Sequence, residues 1–145
     1  MAFARILVPV DLSHDDHTER LIDLAVHLAS ASHAELHLLY VDQSLIHGAA
    51  YPHLNQTRLD EHREFAMQKL ATLTANLPAP VIGHHHCRQG LAHDQILEAA
   101  QALAVDAIVM MARKPGVKSY FIGSNAERVV RHAPCSVFVV RENQN

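Results

Sequence analysis

The sequence predicts a single doubly wound α/β domain with a five-stranded parallel sheet and helices on both faces, and three observations predict it. Short, mostly apolar runs at 6–10, 36–41, 107–111 and 136–141 have the length and content of strands covered on both sides. Between them lie segments whose apolar residues recur at helical spacing. The two kinds of segment alternate as β-α-β-α-β-α-β-α-β, an order that right-handed crossovers convert into a parallel sheet. The 145 residues amount to one domain, residues 1–145, and 49% hydrophobic with 19% charged places the chain among ordinary globular proteins with a sizeable core.

Each element has its own signal. Ile6 to Val10 is an apolar run bounded by Asp11, with Pro9 near its end, where a missing N–H matters least. Ser13 is the expected cap of the first helix, Asp15 and Asp16 suit its first turn, and Leu21, Leu24, Ala25 and Leu28 are its expected buried stripe. Leu36 to Val41 is the second strand. From Asp42 to Asn55 the periodicity stops, which reads as a surface excursion. Gln56 to Leu77 is helical, with Leu59, Ala66, Leu70 and Leu73 on one side, and Pro78 and Pro80 end it. Val81 to Cys87 is too polar for the sheet interior and is expected at an edge. Gly90 leads into a helix carrying Ile96, Ala99, Ala100 and Leu103, and Ser136 to Arg141 is the last strand.

The chain is organised around Asp106 to His132, which reads as buried strand, basic loop and helix start. Ser124 and Glu127 have the spacing of a capping box, and Ala126, Val129, Val130 and Ala133 form the expected stripe of that helix. From Ala107 to Arg141 six cations (Arg113, Lys114, Lys118, Arg128, Arg131, Arg141) face the single carboxylate of Glu127, a net of +5 in a chain of net charge −3. Cations gathered beside a helix N-terminus, with its unpaired N–H groups, suit an anionic ligand; a solvated basic surface is the alternative.

Other classes are excluded by what is missing. The chain has no G-x4-G-K-S/T phosphate loop, no G-x-G-x-x-G after the first strand and no G-x-S-x-G nucleophile turn. His14 and His17 have the wrong spacing for an H-x-G-H nucleotidyl-transfer pair. Cys87 and Cys135 offer neither a disulfide framework nor a CxxC motif. The apolar run in MAFARILVPV is far shorter than a secretory signal, and no stretch approaches the ~18 apolar residues of a membrane span, so the expected location is the cytoplasm.

Four strings, ILVPVDLS, ELHLLYV, ILEAAQALAVDAIVMMA and above all IGSNAERVVRHAPCSVFVVR, resemble the universal stress protein family over nearly the whole length. The resemblance implies strand order 3-2-1-4-5, a homodimer through the last strand at Val137 to Val140, and an ATP site, with or without Mg2+. It puts adenine and ribose contacts on Pro9, Val10, Asp11, Leu12 and Val41, and phosphate contacts on Met111, Ala112, Arg113, Lys114, Gly123, Ser124 and Asn125. The family's G-x2-G, nine residues, G-S/T motif keeps its final pair as Gly123 and Ser124. Alignment through Asp106 sets Met111 and Lys114 where the first two glycines belong, with eight residues before Gly123; counting back nine selects Arg113 and Met110 instead. Arg113, Lys114 and Lys118 add charged donors that glycine amides lack.

The implied function is a stress-response regulator whose adenine nucleotide sets a dimer or loop state. A slow ATPase using Arg113 and Lys114, and a nucleotide-free dimeric stress protein, are the alternatives. Neither nucleic acid nor membrane is an expected partner. Of thirteen histidines, His84 and His86 share one face of a strand and His85 takes the other. His37 on a neighbouring strand would complete a zinc set, but the expectation is a water-facing edge without tightly bound metal.

Overall fold

The computed structural model describes residues 3–13, 15–44, 56–112 and 122–141. Five strands, β1 (Arg5–Pro9), β2 (Glu35–Asp42), β3 (Gly83–Gln89), β4 (Ala107–Met111) and β5 (Ser136–Val140), form one parallel sheet in the order β3-β2-β1-β4-β5. Among the described residues four helices connect them: α1 (Asp15–Ser32), α2 (Gln56–Ala75), α3 (Ala92–Ala102) and α4 (Ser124–His132). This is the expected doubly wound architecture, and it includes the edge position of the polar strand β3.

Alternation along the central strands divides the core into two layers. Ile6 and Val8 of β1, Leu36 and Leu38 of β2 and Ala107 and Val109 of β4 pack with Leu21, Ile22, Ala25 and Ala29 of α1 and Ala66 and Leu70 of α2. Leu7, Leu39, Ile108 and Met110 point the other way, onto Ile96, Ala99 and Ala100 of α3 and Ala126 and Val129 of α4. β1 and β4 are apolar at successive positions because each side chain meets a helix layer on its own side.

Four local expectations are corrected. The buried stripe of α1 is Leu21, Ile22, Ala25 and Ala29, while Leu24 is 39% exposed. α1 begins at Asp15, and the Ser13 N–H is engaged by Asp11 Oδ1 at 2.9 Å in a turn before the helix. At α4 the N-cap is Gly123 (φ −62, ψ 159), no side chain caps it, and Glu127 pairs instead with Arg131 at 3.0 Å, one turn along. The expected capping box is therefore not formed. Val130, drawn into the stripe of this helix by spacing, is 49% exposed.

Helix ends show how the chain reverses without glycine. His33 (φ 55) and Ala104 (φ 51) both take left-handed conformations just past α1 and α3. The turns let Ala34 N–H reach Ala29 O at 2.9 Å and Val105 N–H reach Ala100 O at 3.1 Å, satisfying carbonyls that the helices leave open. Each then delivers the chain directly into the next strand.

Candidate functional site

Ligands of such sheets bind beyond the C-terminal strand ends, where the strand order reverses. Here that point lies between β1 and β4. β1 pairs with β2 over five positions but with β4 only at Ile6↔Ala107 and Leu7↔Ile108. The paired register ends there, and the segment after Pro9 and Ala112 after Met111 lie at the C-terminal ends of these neighbouring strands.

On the β1 side, Val10 and Leu12 are buried and Asp11 is exposed. Val10 N–H donates to Leu39 O at 2.8 Å, extending the ladder one residue past the strand. The Asp11 carbonyl accepts from Thr18 Oγ1 at 2.7 Å, and its Oδ1 accepts the Ser13 N–H. Lys69 of α2 reaches across to the Leu12 carbonyl, Nζ to O 2.8 Å. These bonds fix the path of the segment and hold the Asp11 carboxylate at its rim.

On the β4 side, Ala112 is buried and Met111 half-buried. Ala112 N–H donates to Val140 O at 2.8 Å, and the Ala112 carbonyl accepts the Gly123 N–H at 2.6 Å. That bond brings the start of α4 to the end of β4. With Glu127 turned toward Arg131, the opening amides of α4, beginning with Ser124 and Asn125, carry no side-chain cap among the described residues. Arg113 and Lys114, two of the expected phosphate contacts, lie outside the described residues, as does Lys118.

At the end of β2, Asp42, a candidate from its strand-end position, meets Tyr40 and His62, which sequence reasoning missed. Asp42 is only 2% exposed; its Oδ1 accepts from the amide of Ser44 at 2.9 Å and from the Ser44 hydroxyl. His62 of α2 lies between Asp42 (Nε2 to Oδ1 4.0 Å) and Tyr40 (Nε2 to phenol oxygen 3.0 Å). Burial, followed by the charges of Asp42, Cys87 and Asp11, pushes the Tyr40 pKa up to about 12. The cluster could not be read from spacing, because His62 and Tyr40 come from elements separated by a long connection. Val41, the expected adenine-side residue, is half-buried on the opposite face of β2 from Tyr40 and packs with the α3–α4 layer.

Pro9, Val10, Asp11 and Leu12 thus lie at the C-terminal end of β1, Met111 and Ala112 at that of β4, and Gly123, Ser124 and Asn125 at the start of α4, which the Gly123 amide ties to Ala112; Val41 lies at the end of the neighbouring strand β2. Cys87 and Cys135 are half-buried thiols, both pushed up in pKa chiefly by burial. Among the described residues no helix is long and apolar enough to cross a membrane.

Sheet order, two-sided helix cover and the β1–β4 switch point define a class, the small doubly wound α/β domain with its ligand edge at the C-terminal ends of the strands. Within that class the chain belongs to the universal stress protein family, which it matches over residues 2–141. Universal stress protein G of Shigella flexneri is 30% identical over 146 residues, covering 96% of this chain and 99% of that one. Hypothetical protein MJ0577, the subject of a structure-based assignment of biochemical function, superposes with a TM-score of 0.83 at 22% identity over 100% of both chains. A universal stress protein from Archaeoglobus fulgidus in complex with dAMP gives 0.67 at 20% identity, over 96% of this chain and 98% of that one. Another universal stress protein, in complex with cAMP, gives 0.70 at 19%, over 97% and 98%. At these identities the structural likenesses establish the fold.

Proposed function

We propose that this universal stress protein binds an adenine nucleotide, ATP, at the C-terminal ends of β1 and β4, and that the bound nucleotide sets a loop or dimer state. The observation that carries the reading is the start of α4: a helix N-terminus tied by its Gly123 amide to Ala112 and, among the described residues, without a side-chain cap. Unpaired amides and the positive end of the helix dipole favour phosphate there. Asp11 supports the other half of the ligand. One of its oxygens is held by Ser13, which orients the carboxylate, and the second is available to accept from a ribose hydroxyl. Val10 and Leu12 supply an apolar floor, and Val41 the adenine side. That proteins of the same fold are in complex with dAMP and cAMP adds support for an adenine nucleotide as the ligand class.

Arg113 and Lys114 then act as phosphate donors in place of the family's first two glycines. Nucleotide-free protein should gain thermal stability with ATP: at 100 times the dissociation constant, about 2.7 kcal/mol, or roughly 5 to 10 °C. Arg113→Ala or Lys114→Ala should weaken ATP about ten- to a hundredfold and adenosine far less. Absence of any shift at millimolar ATP would overturn the nucleotide site. Equal ATP binding by both variants would overturn the role given to the basic loop. Phosphate release with Mg2+ would move the reading to the slow ATPase.

A further inference from the structure

The N-terminal end of the sheet carries a second cluster, which the nucleotide reading does not use. Strand alternation puts Glu35 and His37 on one face of β2, and the β2–β3 register sets His37 beside His84 and Leu39 beside His86. The four side chains Glu35, His37, His84 and His86 therefore share the face that farther along carries α3. His85 pairs with Leu38 and takes the other face.

The donor atoms converge. Glu35 Oε2 lies 3.6 Å from His37 Nε2 and 3.6 Å from His84 Nε2, and one ligand atom from each of the three residues falls within 4.8 Å of the other two. A tetrahedral zinc ion with ligands at its usual bond lengths separates neighbouring donors by about 3.4 Å. Two of the three edges are thus within a few tenths of an ångström of that value. The His37 and His84 rings are stacked with centroids 4.7 Å apart, so a small rotation of the half-exposed His84 ring turns its lone pair toward the shared point.

His37 is the residue that calls for a ligand. It is 6% exposed, and among the described residues its Nε2 has no hydrogen-bond partner, the Glu35 oxygen being too distant for one. Its Nδ1 is engaged at 2.9 Å by His86 Nε2. When His37 Nδ1–H donates to His86, the buried Nε2 is left as a bare lone pair aimed at Glu35 and His84. That is the arrangement of a metal-binding histidine, whose other ring nitrogen is held by a neighbour that fixes its tautomer. Burial, then the adjacent His84 and His86, lowers the His37 pKa despite the opposing pull of Glu35.

We infer that Glu35, His37 and His84 form a binding site for a divalent transition metal of the zinc type, with His86 positioning His37. Two imidazoles and one carboxylate suit zinc better than magnesium or calcium, which prefer all-oxygen sites. Exposure of His84 and Glu35 gives the ion a path in and leaves a fourth position for water. The donors come from both strands, so a bound ion ties the edge strand β3 to β2. The site lies about 16 Å along β2 from Asp42, and it shares no residue with the proposed nucleotide site. The sequence expectation of a metal-free edge was reached without Glu35.

The test uses full-length protein carrying no histidine tag, stripped with chelator and titrated calorimetrically with zinc chloride. The expected result is one saturable zinc per chain and a rise in melting temperature. Co2+ in place of Zn2+ should give the visible absorption of a tetrahedral nitrogen–oxygen site. Glu35→Gln and His84→Ala, both at half-exposed positions compatible with folding, should each weaken zinc about tenfold or more, whereas His85→Ala should bind as the parent does. Far-UV circular dichroism confirms that each variant is folded. No saturable zinc uptake by the parent would overturn the inference. So would unchanged affinity in both Glu35→Gln and His84→Ala, which would assign the zinc to other histidines.

Discussion

Asp106 is an exposed carboxylate just before β4, yet the fold uses it as a staple. Its Oδ2 accepts the backbone N–H groups of Ala4 at 2.6 Å and Arg5 at 2.8 Å, joining the start of β4 to the start of β1 across the switch point. Asp106→Ala removes both bonds but leaves the Asp106 amide able to reach the Arg5 carbonyl. A hydrogen bond to a charged group contributes about 1.5 to 3 kcal/mol where it is sheltered. Solvent screening at this exposed position reduces the pair to about 1 kcal/mol in all, or roughly 2 to 4 °C in melting temperature. The Arg5 amide, then the Ala4 amide, lowers the Asp106 pKa; burial opposes weakly and the Arg5 charge assists. A folded-state pKa below the unfolded value, about 3.9, means stability that is complete above that value and lost as pH falls through the folded-state pKa. Urea unfolding of parent and variant, followed by circular dichroism, should therefore show a constant gap between neutrality and about pH 5 that closes at lower pH. Equal midpoints at pH 7 would refute the staple. A gap undiminished in strong acid would show that the side chain acts through packing rather than charge.

Gly90 has φ +139, and a Cβ built there would lie 3.0 Å from Gln95 Nε2, so Gly90→Ala should lower stability by about 1 to 3 kcal/mol, read as a shift in urea midpoint; an unchanged midpoint would mean the loop relaxes without strain. β5 is the edge strand opposite β3, and its Val137 to Val140 are only half-buried in the single chain, which supports a dimer seam there. Val139→Lys should then give a monomer mass by light scattering, and a dimer mass in the variant would place the contact elsewhere.

The legible parts of the fold are those fixed by local pattern. β1 and β4 announce themselves because strands covered on both faces must be apolar at every position, and Ile6 to Val8 and Ala107 to Val109 are fully buried. The stripe of α1 was less determinate. Leu21, Leu24, Ala25 and Leu28 fit helical spacing as well as Leu21, Ile22, Ala25 and Ala29 do, and only the sheet decides which set faces inward. The S-x-x-E spacing at Ser124 was real, but Gly123 already ends the extended segment and Arg131 competes for Glu127. The residues proposed for the nucleotide were accessible only through family resemblance, since they follow strand ends in fixed order. Asp42 was legible as the end of the second strand, but its meeting with His62 was not, because that depends on how α2 lies across the end of β2. Glu35 did leave a signal. Glu-x-His on a strand places both side chains on one face, and His84 stands directly across the ladder.

The two ends of β2 differ in how their polar groups are satisfied, and that difference decides where a metal belongs. At the C-terminal end, Asp42 is buried but its Oδ1 is saturated by the Ser44 amide and hydroxyl. With its pKa near 12, the Tyr40 phenol stays protonated throughout the neutral range and can either donate or accept. Its bond to His62 Nε2 therefore survives in both neutral tautomers of the imidazole, whereas a phenolate could only accept. Polar groups there are spent on one another, and they hold α2 against the strand. At the N-terminal end no such closure is made for His37 among the described residues: when Nδ1–H donates to His86, Nε2 is left facing Glu35 and His84 with no partner at bonding distance. A third donor-poor group cannot relieve that arrangement. A cation can, and the same argument explains why the Asp42–His62 pair, although it includes a buried carboxylate, is a brace and not a second metal site.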